Sequence, residues 1–189
     1  GRQEPVLADP ATVLEIARWH AKEFQNDPRG AALHAAGTPG LVAGLNAAGL
    51  LPTRNFQSGA FEGAEALSYD AYQAILSDTN TCHACPVRCK REVSVTGDYA
   101  ASPLYGGPEY ETIAALGSNC GIGDLRAIAT ANELCARYTL DSISTGSAIA
   151  WAMECFERGL LNRDDVGGLD LRFGNAEAML QLVPMIARR

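Results

Sequence analysis

No apolar run in this chain approaches the roughly 18–20 residues that a membrane-spanning helix needs. The N-terminus carries no charged-then-apolar leader pattern either. A membrane is therefore not an expected partner. Cations are also short: 15 Lys and Arg stand against 22 Asp and Glu, a net charge of −7. Phosphate backbones are held by clustered Lys and Arg, so nucleic acid is not expected as a partner. Internal repeats and low-complexity tracts are missing as well. With 47% hydrophobic and 20% charged residues, the composition excludes a disordered chain and fits a buried core.

Strand signals are almost missing. Only Arg91 to Thr96 alternates polar and apolar residues, as a short strand or hairpin arm ending at Gly97-Asp98. The rest punctuates as helices. Asp9-Pro10 opens the first, with Val13, Leu14, Ile16, Ala17 and Phe24 as its apolar stripe and Asn26-Asp27-Pro28 as its end. Gly37-Thr38-Pro39 starts a short helix that stops near Gly49, and Ser68 caps one running through Ile75 and Leu76. Gly106-Gly107-Pro108 feeds a helix with proline at its first position, closed by Gly117. Asp124 caps a helix through Tyr138, Ser142 to Thr145 lead into the longest one, and a polar linker from Asn162 to Asp170 precedes the last, near Asn175. The expected fold is all-α: one mostly helical domain over 1–189, with about seven or eight helices and at most a short β-hairpin after the cysteine cluster. Because the chain opens on Gly and its last helix still runs at Arg188-Arg189, it is expected to be a piece of a larger protein.

Cysteine, by contrast, is concentrated. Three of the six fall within eight residues, Cys82-x2-Cys85-Pro86-x2-Cys89, followed by Lys90 and Arg91. Without a leader, such bunching fits a reducing, cytoplasmic compartment and a metal site better than a disulfide framework. Thiolates at this spacing serve zinc or iron–sulfur iron. Zinc lacks a fourth ligand, since His83 lies between two ligand positions. Three metal-free structural cysteines so close together are unusual. Iron–sulfur gains from Pro86, which suits a sharply turning loop, and from Arg88, Lys90 and Arg91. One cation about 8 Å from a negatively charged cluster contributes on the order of 2 kcal/mol at an effective dielectric near 20. Cys135 and Cys155 read as small buried hydrophobes, whereas Cys120 sits in a tight Gly-bounded turn where reaching a metal is an alternative. His20 and His34 read as structural.

Glu109 and Glu111 read either as acids favoured by a helix dipole at its first turn or as a general base or acid near a reaction centre. The segment Asp141 to Gly146 reads either as a helix cap or as a ligand loop of hydroxyls and free N–H groups.

Taken together, several segments resemble the aldehyde ferredoxin oxidoreductase family in content and order: Gly37-Thr38, Gly49 to Phe56, the Cys82–Cys89 run, Gly107-Pro108-Glu109-Tyr110-Glu111-Thr112, Leu116 to Gly121, Leu140 to Gly146 and Glu154-x2-Glu157-Arg158-Gly159. The resemblance implies an N-terminal β-rich domain cradling a tungsten or molybdenum bis-pterin, followed by two helical domains, of which this chain resembles the first. It implies oxidation of aldehydes to carboxylic acids, with electrons passing through a [4Fe-4S] cluster to ferredoxin. Cys82, Cys85 and Cys89 match three cluster ligands, the fourth lying in the next domain; Glu109 or Glu111 matches an acid near the metal. Arg54, Asn55, Leu140, Asp141 and Ser142 match cofactor-contacting segments. Ala136 and Thr139 depart from the family pattern D-x-x-G-L-D. The implied partners are the flanking pterin-binding and C-terminal helical domains, ferredoxin and an aldehyde. The isolated piece is expected to be inactive, and one alternative is that it retains neither cofactor. Two alternatives stand beside this: a zinc-binding structural or interaction module, and a family member acting on aromatic acyl thioesters.

Overall fold

Side-chain caps start most of the helices in the computed structural model, which describes residues 5–188. Asp9 accepts a bond from the Thr12 amide at 3.0 Å and begins α1, Pro10–Glu23. Asp27 accepts from the Gly30 amide at 2.9 Å and begins α2, Pro28–Ala36. That second Asp-Pro pair is thus a helix start as well as the end expected from the sequence, because the Asp side chain accepts from a first-turn N–H and Pro presets φ. α3 covers Leu41–Ala47, and Ser68 caps α4, Tyr69–Tyr72.

α4 is a single turn and does not continue through Ile75 and Leu76 as expected. The chain instead enters β1, Leu76–Asn80, which pairs antiparallel with β2, Lys90–Val93, in the register Asp78↔Glu92, Thr79↔Arg91 and Asn80↔Lys90. The expected hairpin exists, but it encloses the cysteine cluster rather than following it. β1 reads Leu-Ser-Asp-Thr-Asn and is almost wholly exposed, so it has no apolar alternation. Only its ladder to β2 makes it a strand.

α5 is Tyr110–Leu116, with Glu109 at the cap, so Pro108 precedes the helix rather than occupying its first position. α6 is Leu125–Tyr138, capped by Asp124; α7 is Ser142–Glu157, capped by Asp141; α8 is Ala176–Ala187, capped by Asn175. The last helix closes at Arg188, and Arg189 lies outside the described residues. Eight α-helices and one two-stranded hairpin among the described residues make a mostly α fold.

α5 is the central element: every residue from Thr112 to Leu116 is buried. It crosses α7 at Gly146, where an added Cβ would stand 2.6 Å from the Ala115 carbonyl carbon. α6 and α8 pack beside this pair, and one buried cluster runs from Leu51 and Tyr72 through Ile113 and Ile128 to Met153 and Met179. α1 differs. Its apolar stripe is there as expected, yet the helix buries no residue, and Val13, Leu14, Ile16 and Trp19 are exposed. No described helix is long and apolar enough to cross a membrane.

Candidate metal and cofactor site

The loop between β1 and β2 carries Cys82, Cys85 and Cys89, none of them in a disulfide. Local hydrogen bonds shape it. The Cys85 amide donates to the Cys82 carbonyl at 3.1 Å, and the Thr81 hydroxyl reaches the carbonyls of Cys82 at 3.1 Å and Cys85 at 2.7 Å. Ala84 and Arg88 adopt positive φ, 55° and 53°, a region where non-glycine residues are strained and which recurs at ligand-clamping loops. The base of the loop is held from beneath. Arg91 Nη1 donates to the carbonyls of Arg88 and Lys90, both at 3.0 Å, and Nη2 donates to the His34 carbonyl at 2.8 Å. The His34 ring bonds the Val87 carbonyl at 2.8 Å, so His34 is structural, as expected.

Cys82 is exposed and Cys85 and Cys89 are half-buried. Among the described residues no three His, Cys, Asp or Glu side chains converge on one point. The chemistry of the donors nevertheless fits an iron–sulfur or zinc centre: three soft sulfur ligands on one short, anchored loop. Cys120 does not join them. It is wholly buried, its S–H directed at the carbonyls of Ala115 at 3.3 Å and Gly146 at 3.5 Å, and burial pushes its thiol pKa well up. Burial also raises Cys135, and Cys155 is buried in α7. Native alkylation with iodoacetamide is therefore expected to modify Cys82, Cys85 and Cys89 at least about tenfold faster than the other three, since thiolate access governs the rate. Peptide mass spectrometry reads this directly; fast labelling of Cys120 would contradict the burial.

The two candidate acids are separated. Glu109 is half-buried and accepts a short hydrogen bond from the Thr38 hydroxyl, which in turn accepts from the Tyr110 amide at 3.0 Å. Thr38 follows Gly37, whose added Cβ would meet the Cys89 carbonyl at 2.5 Å. One short turn, Gly37-Thr38, therefore touches both the cysteine loop and the start of α5. Glu111 is exposed and lines a different space, a cleft of about 150 Å³ between α5, α7 and the segment around Phe56. Burial, then the neighbouring Glu111, raises the Tyr110 phenol pKa beside it.

Arg54, Asn55 and Phe56 form a run of three left-handed residues, with φ of 47°, 51° and 63°. Such strain persists only when its surroundings over-determine it. Here the Ser118 and Asn119 backbone carbonyls accept the Arg54 and Asn55 amides at 3.1 and 3.0 Å, and Asn119 Oδ1 accepts the Phe56 amide at 3.1 Å. The Arg54 guanidinium pairs with Glu62, which raises the Arg54 pKa and lowers that of Glu62. The Asn55 amide donates to Glu154 on α7. Both expected cofactor contacts thus have carboxylate partners within the chain.

At the far wall Asp141 caps α7 through the Ser144 amide at 2.6 Å, and the Ser144 hydroxyl, then its amide, lower the Asp141 pKa. Ser142 meets Thr112 of α5, hydroxyl to hydroxyl, at 2.7 Å, and Leu140 packs against the core. Thr139 holds the left-handed helix-end position, φ 58°, that favours glycine. The cleft therefore gathers Phe56, Glu111 and Ile143, with Arg54–Asn55 and Leu140–Ser142 on its flanking segments and Glu109 toward the cysteine loop. Sequence reasoning missed Asn119 and the distinct position of Arg91. The available signals for Asn119 were a polar residue in a Gly-bounded turn and its place in the family-like segment Leu116 to Gly121.

Comparisons with known proteins give a consistent picture. A family model described as aldehyde ferredoxin oxidoreductase, domains 2 and 3, matches residues 15–189. The whole chain is 40% identical over 194 residues to a tungsten-containing aldehyde ferredoxin oxidoreductase of Pyrococcus abyssi, and 40% identical over 195 residues to one of Thermococcus kodakarensis. It spans 31% of the length of each. A Pyrococcus furiosus protein named as the WOR-like subunit of an aliphatic sulfonate oxidoreductase is 32% identical over 108 residues, 57% of this chain and 17% of that protein.

Proposed function

Because the chain belongs to the aldehyde ferredoxin oxidoreductase family, we propose that it is the cluster-bearing helical part of a tungsten or molybdenum bis-pterin enzyme that oxidises aldehydes to carboxylic acids. The observation that carries this reading is the anchored hairpin loop, with three free thiols in eight residues above a clamp formed by Arg91 and His34. Cys82, Cys85 and Cys89 would hold three corners of a [4Fe-4S] cluster, with a fourth thiolate from another part of the parent chain. When bound, the cluster supplies single-electron transfer toward ferredoxin and the bis-pterin metal supplies the two-electron oxidation.

The chain's own residues orient and exclude. Converting an aldehyde and water to a carboxylic acid releases two electrons and two protons, so a base must stand near the reacting carbon. Glu111, which lines the cleft, would take a proton there. Glu109 is the second candidate, and its Thr38 hydrogen bond ties its orientation to the turn that touches Cys89. The Arg54–Asn55 and Leu140–Ser142 segments would contribute the pterin-facing walls, the second of them through the α7 N-terminus. A pterin-binding domain, a second helical domain, ferredoxin and an aldehyde are the proposed partners, in a reducing cytoplasm.

Metal analysis of anaerobically purified protein tests the centre. Iron with acid-labile sulfide and brown absorbance is expected; one colourless zinc per chain would replace this reading with a structural module. The chain by itself is expected to show no aldehyde oxidation. Turnover by these 189 residues alone would overturn the proposed division of labour among domains.

A further inference from the structure

Three cations follow one another around Cys89, and their environments differ. Arg88 and Lys90 are exposed, where water and salt screen their charge. Arg91 is 3% exposed, at a position of β2 that alternation turns inward beside buried Val93. Its guanidinium bonds three backbone carbonyls, those of Arg88 and Lys90 bracketing Cys89 and that of His34 beneath the loop. It faces the Tyr69 ring at 6.0 Å, and its Nε has no partner. Among the described residues it forms no ion pair.

Carbonyl oxygens satisfy the donors of a guanidinium but do not balance its charge, and burying an unbalanced cation is costly. An apolar residue would fill the same inward position more cheaply. A cation held there makes physical sense if negative charge accumulates nearby. Glu109 and Arg91 both influence the buried Tyr72 hydroxyl, yet the two form no ion pair. The loop above Arg91 is where three thiolates would add more.

We propose that Arg91 positions Cys89 and sets the reduction potential of an iron–sulfur group on this loop, its fixed buried charge favouring the reduced, more negative state. This rests on the function proposed above. One-electron reduction adds one negative charge at the thiolate-held group and breaks no bond, so a nearby permanent cation shifts the equilibrium without any proton transfer. Arg88 and Lys90, being screened, contribute little.

The test uses this chain loaded anaerobically with ferrous iron and sulfide, a small thiol in excess as the fourth ligand, and dye-mediated optical titration. Arg91→Gln, which keeps donors for the carbonyls but removes the charge, is expected to lower the reduction equilibrium constant about tenfold, a shift of about 59 mV for one electron. Arg91→Lys and Lys90→Met are each expected to stay within about threefold of the parent chain. A second measurement needs no variant: the parent potential is expected to change less than about twofold in equilibrium constant between about 0.1 and about 1 M salt, since buried charge escapes screening. An unchanged potential in loaded Arg91→Gln, or a potential that collapses with salt, would overturn the role of Arg91 while leaving the cluster itself in place. A parent chain that takes up no iron and sulfide would instead remove the cluster reading, and this inference with it.

Discussion

Replacing Cys85 with serine is expected to abolish iron binding while leaving the fold intact. Cys85 sits at the middle of the thiol run, and the loop is shaped there by its backbone. Its amide donates to the Cys82 carbonyl and its own carbonyl accepts the Thr81 hydroxyl. The sulfur makes no hydrogen bond in the structure, so the exchange removes a soft ligand and little else. A serine hydroxyl is a hard, poorly ionised donor that iron in a sulfide environment rejects. Iron per chain is expected to fall below about a tenth of the parent value, with a thermal midpoint within about 2 °C. Retained iron would remove Cys85 from the ligand set, and a large loss of thermal stability would give the residue a packing role that its half exposure does not suggest.

Gly146→Val is expected to have the largest effect on stability. Gly146 lies where α7 crosses α5, and a Cβ there would stand 2.6, 2.7 and 2.8 Å from the carbonyl carbon, oxygen and Cβ of Ala115. Those neighbours are mainly backbone, which cannot swing aside, so the two helices must separate. Helix propensity favours valine over glycine by less than about 1 kcal/mol. Overpacking a close-packed crossing costs about 1–3 kcal/mol, and valine adds two methyls beyond the clashing Cβ. The clash therefore wins. At about 2–4 °C per kcal/mol for a chain of this size, the thermal midpoint is expected to fall by about 5–10 °C. The same movement would widen the cleft, which α5 lines with Ala114 and Ala115 and α7 with Ile143 and Ser147. Calorimetry checks this, and a midpoint within about 2 °C of the parent would mean that the helices are farther apart than described.

Local chemistry made much of the helical framework legible. Asp9, Ser68 and Asp124 cap helices as expected, the last helix starts at the expected Asn175, and Gly117 closes α5, because a short polar side chain satisfies first-turn amides whatever the tertiary setting. The hairpin was only half legible. β2 carries alternation, whereas β1 is polar and exposed and becomes a strand through pairing alone. Helix α2 was hidden for another reason, since one Asp-Pro pair ended α1 and began the next helix.

For the site, the sequence by itself determined the candidate donors: three thiols within eight residues, and two glutamates at one helix start. Tertiary structure decided what surrounds each of these candidates. It put Glu109 under Thr38 beside the cysteine loop and Glu111 in the cleft, two residues apart in sequence but in different surroundings. It also distinguished Arg91 from Arg88 and Lys90, three neighbouring cations that composition cannot tell apart. The physical reason is burial. Spacing along a chain fixes which groups can reach one another, whereas the strength of a charge, and the freedom of a thiol or carboxylate to react, depend on what packs around it.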